Sequence, residues 1–81
     1  MLSSSQIRAA RALLGWSGID LAEKSAVGIT TLRRYELQKG IPSANTTVLL
    51  VLKGTLEKAG IEFTGDPLVN PGVTLHIKRD D

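Results

Sequence analysis

The chain has 81 residues and a formal net charge of +2, the size of one domain and too short for a doubly wound sheet or a barrel. It is 42% hydrophobic and 22% charged, a balance that belongs to a folded domain and not to a disordered one. It contains no cysteine, which excludes a disulfide framework, a thiolate zinc site and a cysteine nucleophile.

Ser3-x-x-Gln6 has the form of a capping box, and it predicts a first helix over Ser4–Leu14. Ile7, Ala10 and Leu14 make its inner face, and Gly15 is placed to stop it in a left-handed conformation. Ser17-x-x-Asp20 is a second candidate box. It opens a helix over Gly18–Ser25 with Ile19, Ala22 and Leu21 turned inward. After a break at Ala26-Val27-Gly28, with Gly28 as N-cap, a third helix runs over Ile29–Leu37. Its inward stripe is Leu32 with Tyr35 or Glu36.

Gly40 and Pro42 mark a loop. A fourth helix follows, capped by Ser43 or Asn45, to about Ala59, with Gly60 as the stop. Val48, Val51, Leu52, Thr55 and Leu56 form one stripe. Leu49 and Leu50 add apolar surface on other faces, which suggests a partner surface. Ile61–Thr64 and Val73–Ile77 alternate apolar and polar residues, so a hairpin is expected with Ile61, Phe63, Val73, Leu75 and Ile77 on one face. Residues 1–60 therefore read as a helical core, and 61–81 as a hairpin and tail of the same compact domain.

The longest apolar run, Val48–Leu52, is far shorter than the ~20 residues of a membrane span. The start of the chain lacks the basic and apolar regions of a secretory signal. A cytoplasmic location is expected. The basic residues are unevenly placed: residues 1–40 carry Arg8, Arg11, Lys24, Arg33, Arg34 and Lys39 against Asp20, Glu23 and Glu36. This excess points weakly to a polyanion.

Two short helices joined by three residues, the second bearing Arg33 and Arg34, form a helix-turn-helix candidate. A helix fits the major groove of B-DNA, where residues on its outer face meet base edges. The stretch Ile7–Ser17, then Leu21-Ala22-Glu23-Lys24-Ser25-Ala26-Val27, Thr31-Leu32-Arg33-Arg34-Tyr35-Glu36 and Pro42 resembles the phage repressor/Cro-type (XRE) helix-turn-helix family. The ending Leu56–Phe63 with Gly72-Val73-Thr74-Leu75 resembles short bacterial regulators of that family.

The resemblance implies a mainly α, four- to five-helix lambda-repressor-like domain with a small C-terminal β-hairpin. It implies a DNA-binding transcriptional regulator, most simply a repressor, that places the third helix in the major groove as a homodimer. Gly28, Ile29, Thr30 and Arg34 match positions that meet bases, with Arg33 beside them. Gly18, Lys39 and Asn45 match positions at phosphate. Arg11 and Glu36 match a pair that ties the first helix to the third. Three positions depart from the pattern. Gly18 stands where the family has glutamine, Ala26 where it has the turn glycine, and Gln38 where it has a glycine after the glutamate.

Each assignment has a plainer counterpart. Arg33 and Arg34 also fit solvated surface charges, Ile29 also fits a core position, Lys39 also fits a solvated loop lysine, and Asn45 also fits a simple helix cap. Trp16 fits the small core or a half-exposed place beside it. The lone His76 falls on the outward side of its strand and makes a poor metal site. No acid/base pair, activated nucleophile or phosphate-cradling loop is visible, so no enzyme activity, metal, cofactor or small-molecule ligand is expected. Double-stranded DNA and a second copy of the chain are the expected partners, with no membrane. Leu49, Leu50, Val73, Leu75 and Ile77 are the dimer candidates. A second reading uses the same fold as a protein–protein module, such as an antitoxin or adaptor.

Overall fold

The computed structural model describes residues 1–43 and 45–77. It contains α1 (Ser4–Leu14), α2 (Gly18–Ser25), α3 (Ile29–Leu37), α4 (Thr46–Lys58), β1 (Ile61–Thr64) and β2 (Gly72–Leu75). The mainly helical fold with a C-terminal hairpin is the one expected, with four helices among the described residues. Residues 78–81 of the expected tail lie outside the described residues.

Both expected capping boxes are formed. The Ser3 hydroxyl accepts the Gln6 N–H, and the Gln6 carboxamide oxygen accepts the Ser3 N–H. Ser17 and Asp20 exchange the same two bonds at α2. Each box satisfies amides that the first helical turn leaves free. Gly15 ends α1 in the left-handed region at φ 70°. For α4 the cap is Asn45, whose Oδ1 accepts the Thr47 N–H at 2.8 Å. Gly60 turns the chain from α4 into β1 at φ 108°, and a Cβ there would meet the His76 carbonyl oxygen at 2.7 Å. Only glycine makes that turn.

One core joins all the elements. Ile7, Leu21, Leu32, Leu52 and Leu56 are fully buried in it, and Leu2, two residues before α1, is buried with them. The hairpin is antiparallel, with Ile61 opposite Leu75 and Phe63 opposite Val73. That register puts the four apolar side chains on one face, as expected, and all four pack on the core. A two-stranded hairpin is marginal alone in water. Here Gln6 anchors it: its Nε2 donates to the Gly72 carbonyl at 3.2 Å and the Thr64 carbonyl at 3.4 Å.

Some expected placements differ. Ile19 is exposed, because Leu21, Ala22 and Ser25 form the buried face of α2 and Ile19 lies roughly a third of a turn from its centre. The buried stripe of α4 is Leu49, Leu52 and Leu56, while Val51 is exposed. Leu49, 3% exposed, is therefore core and offers no dimer surface. Residues 48–52 are apolar at every position, so periodicity alone does not select the inward side; the neighbours α2 and β1 do. Val73 and Leu75 also face the core, which leaves little of either for a partner. Leu50, 62% exposed, and Ile77, beyond the end of β2, remain outside. The second strand stops at Leu75, two residues before its expected end.

Ala26 closes α2 in the left-handed region at φ 60°, the only non-glycine residue there among those described. A Cβ in that conformation costs roughly 1–2 kcal/mol. Ala26→Gly is therefore expected to stabilise the fold by about 1 kcal/mol, read as a higher urea midpoint at unchanged slope. An unchanged or lower midpoint contradicts strain at this turn.

Candidate nucleic-acid interface

The orientation of α3 follows from what holds its inner side. Leu32 and Tyr35 are buried. The Ser4 hydroxyl donates to the Tyr35 carbonyl at 2.8 Å, and the Ser4 N–H donates to the Gly40 carbonyl at 2.8 Å. Arg11 makes two parallel bonds to Glu36, Nη2 to Oε1 at 2.7 Å and Nε to Oε2 at 2.9 Å. Its Nη1 donates to the Trp16 carbonyl. The Glu36 hydrogen bonds raise the Arg11 pKa above its ordinary value against the opposing effect of burial, so the guanidinium keeps its charge. Arg11 and Glu36 are thus an internal tie between α1 and α3.

With the inner side fixed, Thr30, Arg33, Arg34 and Leu37 form an exposed stripe on the opposite side of α3, at the spacing of one helical face. Neither Arg33 nor Arg34 makes an ion pair among the described residues, where the pairs are Arg11–Glu36 and His76–Glu62. Two guanidinium groups thus stand in solvent on one helix face, with Thr30 one turn before them. Gly28 is exposed at the N-cap and makes no side-chain cap. Ile29 departs from this group. It is half-buried, packs on the core and comes to 3.4 Å from an ideal Cβ built on Gly18, so it locks α3 against the start of α2.

The phosphate candidates sit on other segments. Lys39 is exposed in a loop closed by the Gln38 Oε1, which accepts the Ser43 N–H at 2.8 Å. Asn45 caps α4 through its oxygen. At the start of α2, Asp20 occupies the end where an anion would sit: its carboxylate accepts the Ser17 N–H at 2.8 Å. Gly18 adds only its backbone amide there. Position 18 has room for more, because an added Cβ meets Ile29 at ordinary contact distance.

Elsewhere, the Trp16 ring lies under the Lys24 ammonium at 5.0 Å, a cation–π contact. His76 pairs across the hairpin with Glu62 at 2.7 Å, both exposed. The sequence analysis missed this carboxylate, although Glu62 and His76 fall on the outward side of adjacent strands. Among the described residues no group of three or more His, Asp or Glu is placed to hold a metal, and no helix is long and apolar enough to cross a membrane.

A family model described as helix-turn-helix matches residues 7–51, from α1 into α4. No curated protein and no solved structure matches the chain.

The backbone and hydroxyl bonds from Ser17, with Lys24 adding a smaller effect, hold the Asp20 carboxyl below its ordinary value of 3.8. A depressed folded value means that this cap contributes stability above 3.8 and loses it as pH falls through the lower folded value. An NMR titration should place the Asp20 midpoint below 3.8, and Ser17→Ala should raise it. A midpoint at or above the ordinary value contradicts the capping geometry.

Proposed function

The chain belongs to the repressor/Cro-type (XRE) helix-turn-helix family, a family of DNA-binding regulators, and on that premise we propose that it is a sequence-specific transcriptional repressor that sets α3 in the major groove and acts as two copies on DNA. The observation that carries this reading is the pair of guanidinium groups, Arg33 and Arg34, with no ion-pair partner among the described residues, on the outer face of a helix whose inner face is tied down. Arg34 donates two bonds to guanine O6 and N7, the commonest specific contact in the major groove. Thr30 lies one turn earlier and reaches a neighbouring base edge or a thymine methyl. Gly28 lets the backbone come close at the start of the helix. Ile29 acts from behind, by setting the angle of α3 on α2.

Lys39, the Asn45 amide and the Gly18 N–H meet phosphates. Such contacts position the protein without reading sequence, and they make affinity fall as salt rises. One recognition helix reads few base pairs, so two copies on half-sites about one helical turn apart give useful specificity.

One observation favours the second reading, a protein–protein module. Leu50 and Val51 are exposed on α4 beside Trp16 and Gly54, and these residues line a recess of about 540 Å³. The two readings differ in what α3 does. A protein module leaves Arg34 dispensable.

Two variants test the DNA reading. Arg34→Ala should lower discrimination at one base pair by roughly 1–3 kcal/mol, measured by anisotropy on duplexes selected from a random pool. Full sequence preference in that variant would show that Arg34 does not read a base. Gly18→Gln restores the side chain that anchors α2 to phosphate in the family, at a position where an added Cβ meets Ile29 at ordinary contact distance. It should tighten binding to all duplexes several-fold, on the order of one added hydrogen bond to a charged group. No gain at low salt contradicts the placement of the α2 start at the backbone.

A further inference from the structure

The outer face of α4 carries a groove that the helical core leaves open. Leu50 is 62% and Val51 41% exposed. With Gly54 and Lys58 of α4, and with Trp16 and Lys24, they line a recess of about 540 Å³. The stretch from Leu50 to Lys58 runs for about two turns of helix. The Thr55 hydroxyl, on the same stretch, donates to the Val51 carbonyl at 2.9 Å, so it keeps its hydrogen within α4.

Gly54 sits in the middle of this stretch. A glycine inside a helix weakens it relative to alanine, and the rest of the chain does not require one here. Its backbone is ordinary helix, and an added Cβ meets nothing within 4 Å. The missing side chain lowers the floor of the recess and lets another backbone come close.

Charge identifies what that backbone carries. Lys24 and Lys58 are exposed and line the recess, and no acidic residue among those described does. Neither lysine makes an ion pair among the described residues; the Lys24 ammonium stands over the Trp16 ring at 5.0 Å. The acids of the same two helices do not enter the groove: Asp20 is held by Ser17, and Glu23 and Glu57 do not line it. A two-fold contact with a second copy would set these lysines against the same lysines, like charge on like charge. No residue of α3 lines the recess, so it is separate from the face proposed for DNA. The complement is a short amphipathic helix with aliphatic residues at i, i+3 or i+4 and i+7 and carboxylates beside them.

We propose that the groove between α2 and α4 docks an acidic amphipathic helix of another protein, its apolar stripe laid over Gly54 against Leu50, Val51 and Trp16 and its carboxylates on Lys24 and Lys58. This gives the partner's chemistry for the recess that favours the second reading above, and it does not rest on α3 reading bases.

Trp16 is the only tryptophan, so its emission reports the groove. The test titrates the full chain with a stapled helical peptide that lacks tryptophan and carries Leu at i, i+4 and i+7 with Glu beside them, and with the same peptide bearing Lys for each Glu. The Glu peptide should shift Trp16 emission saturably, and the Lys peptide should not. Lys24→Glu combined with Lys58→Glu should weaken the Glu peptide about tenfold or more and take up the Lys peptide instead. Gly54→Leu should raise the melting temperature, since leucine favours a helix over glycine. It should also weaken the Glu peptide about tenfold or more, because the added side chain fills the floor of the groove. Arg34→Ala should bind the Glu peptide as the parent chain does. Trp16 emission that the Glu peptide leaves unchanged, equal binding of the two peptides, or a charge-swapped chain that refuses the Lys peptide overturns the proposal. So does parent-like binding in Gly54→Leu or lost binding in Arg34→Ala. Phosphatidylglycerol vesicles that shift Trp16 emission where the Glu peptide does not would put a membrane in the groove and overturn it as well.

Discussion

The two-bond pair between Arg11 and Glu36 is the contact on which the rest of the molecule depends. A guanidinium and a carboxylate meeting side by side fix direction as well as distance. Here they join α1 to α3, and the third donor of Arg11 reaches the chain between α1 and α2. One side chain therefore sets three segments. Because Glu36 and Tyr35 are turned inward, Arg33 and Arg34 are turned outward by the geometry of the helix. The free face of α3 is a consequence of the tied one. Ser4 and Gln6, in the first turn of α1, do related work through backbone partners: Ser4 holds the end of α3, and Gln6 holds the hairpin. α1 is the frame against which both other parts are placed.

Electrostatics at the proposed DNA-facing side is uneven. The arginines of α3 have no ion-pair partner among the described residues, yet the start of α2 holds an aspartate where the helix end favours an anion. Gly18 beside it offers no side-chain donor. Positive charge is therefore concentrated on α3 and the loop at Lys39, which leaves the start of α2 a weaker place for an anion. In the proposed function, such an arrangement would read sequence through few groups and gain from a second copy held at a neighbouring half-site.

Much of this was legible in the sequence because local rules carried it. Both capping boxes, Gly15, the bounds of the first three helices and the hairpin register follow from short-range patterns that the tertiary structure did not override. What was not legible depended on contacts between distant segments. The run 48–52 is apolar throughout, so only the packing of α2 and β1 shows that Leu49 and not Val51 faces inward. Ile29 looked equally suited to a base or to the core, and its place was decided by the space that Gly18 leaves. Gln6 gave no sign of its partners, since the hairpin it anchors lies almost the whole chain away. Glu62 and His76 were visible as outward residues but not as a pair, because pairing needs the register. In the candidate site, the tie Arg11–Glu36 and the exposure of Arg33 and Arg34 were expected from the family pattern. Outside the site, the bonds from Asp66 that leave Leu68 and Val69 exposed were not, since a loop containing Gly, Pro and Asn reads simply as a connection.

The most direct test of the central claim, that the outer face of α3 enters a duplex, is to map amide shifts of the labelled chain on addition of a selected duplex. The account predicts the largest changes over residues 28–34, smaller ones at Ser17, Gly18, Lys39 and Asn45, and little change in the α4 recess beside Trp16. Shifts confined to that recess, with Arg33 and Arg34 unmoved, contradict it.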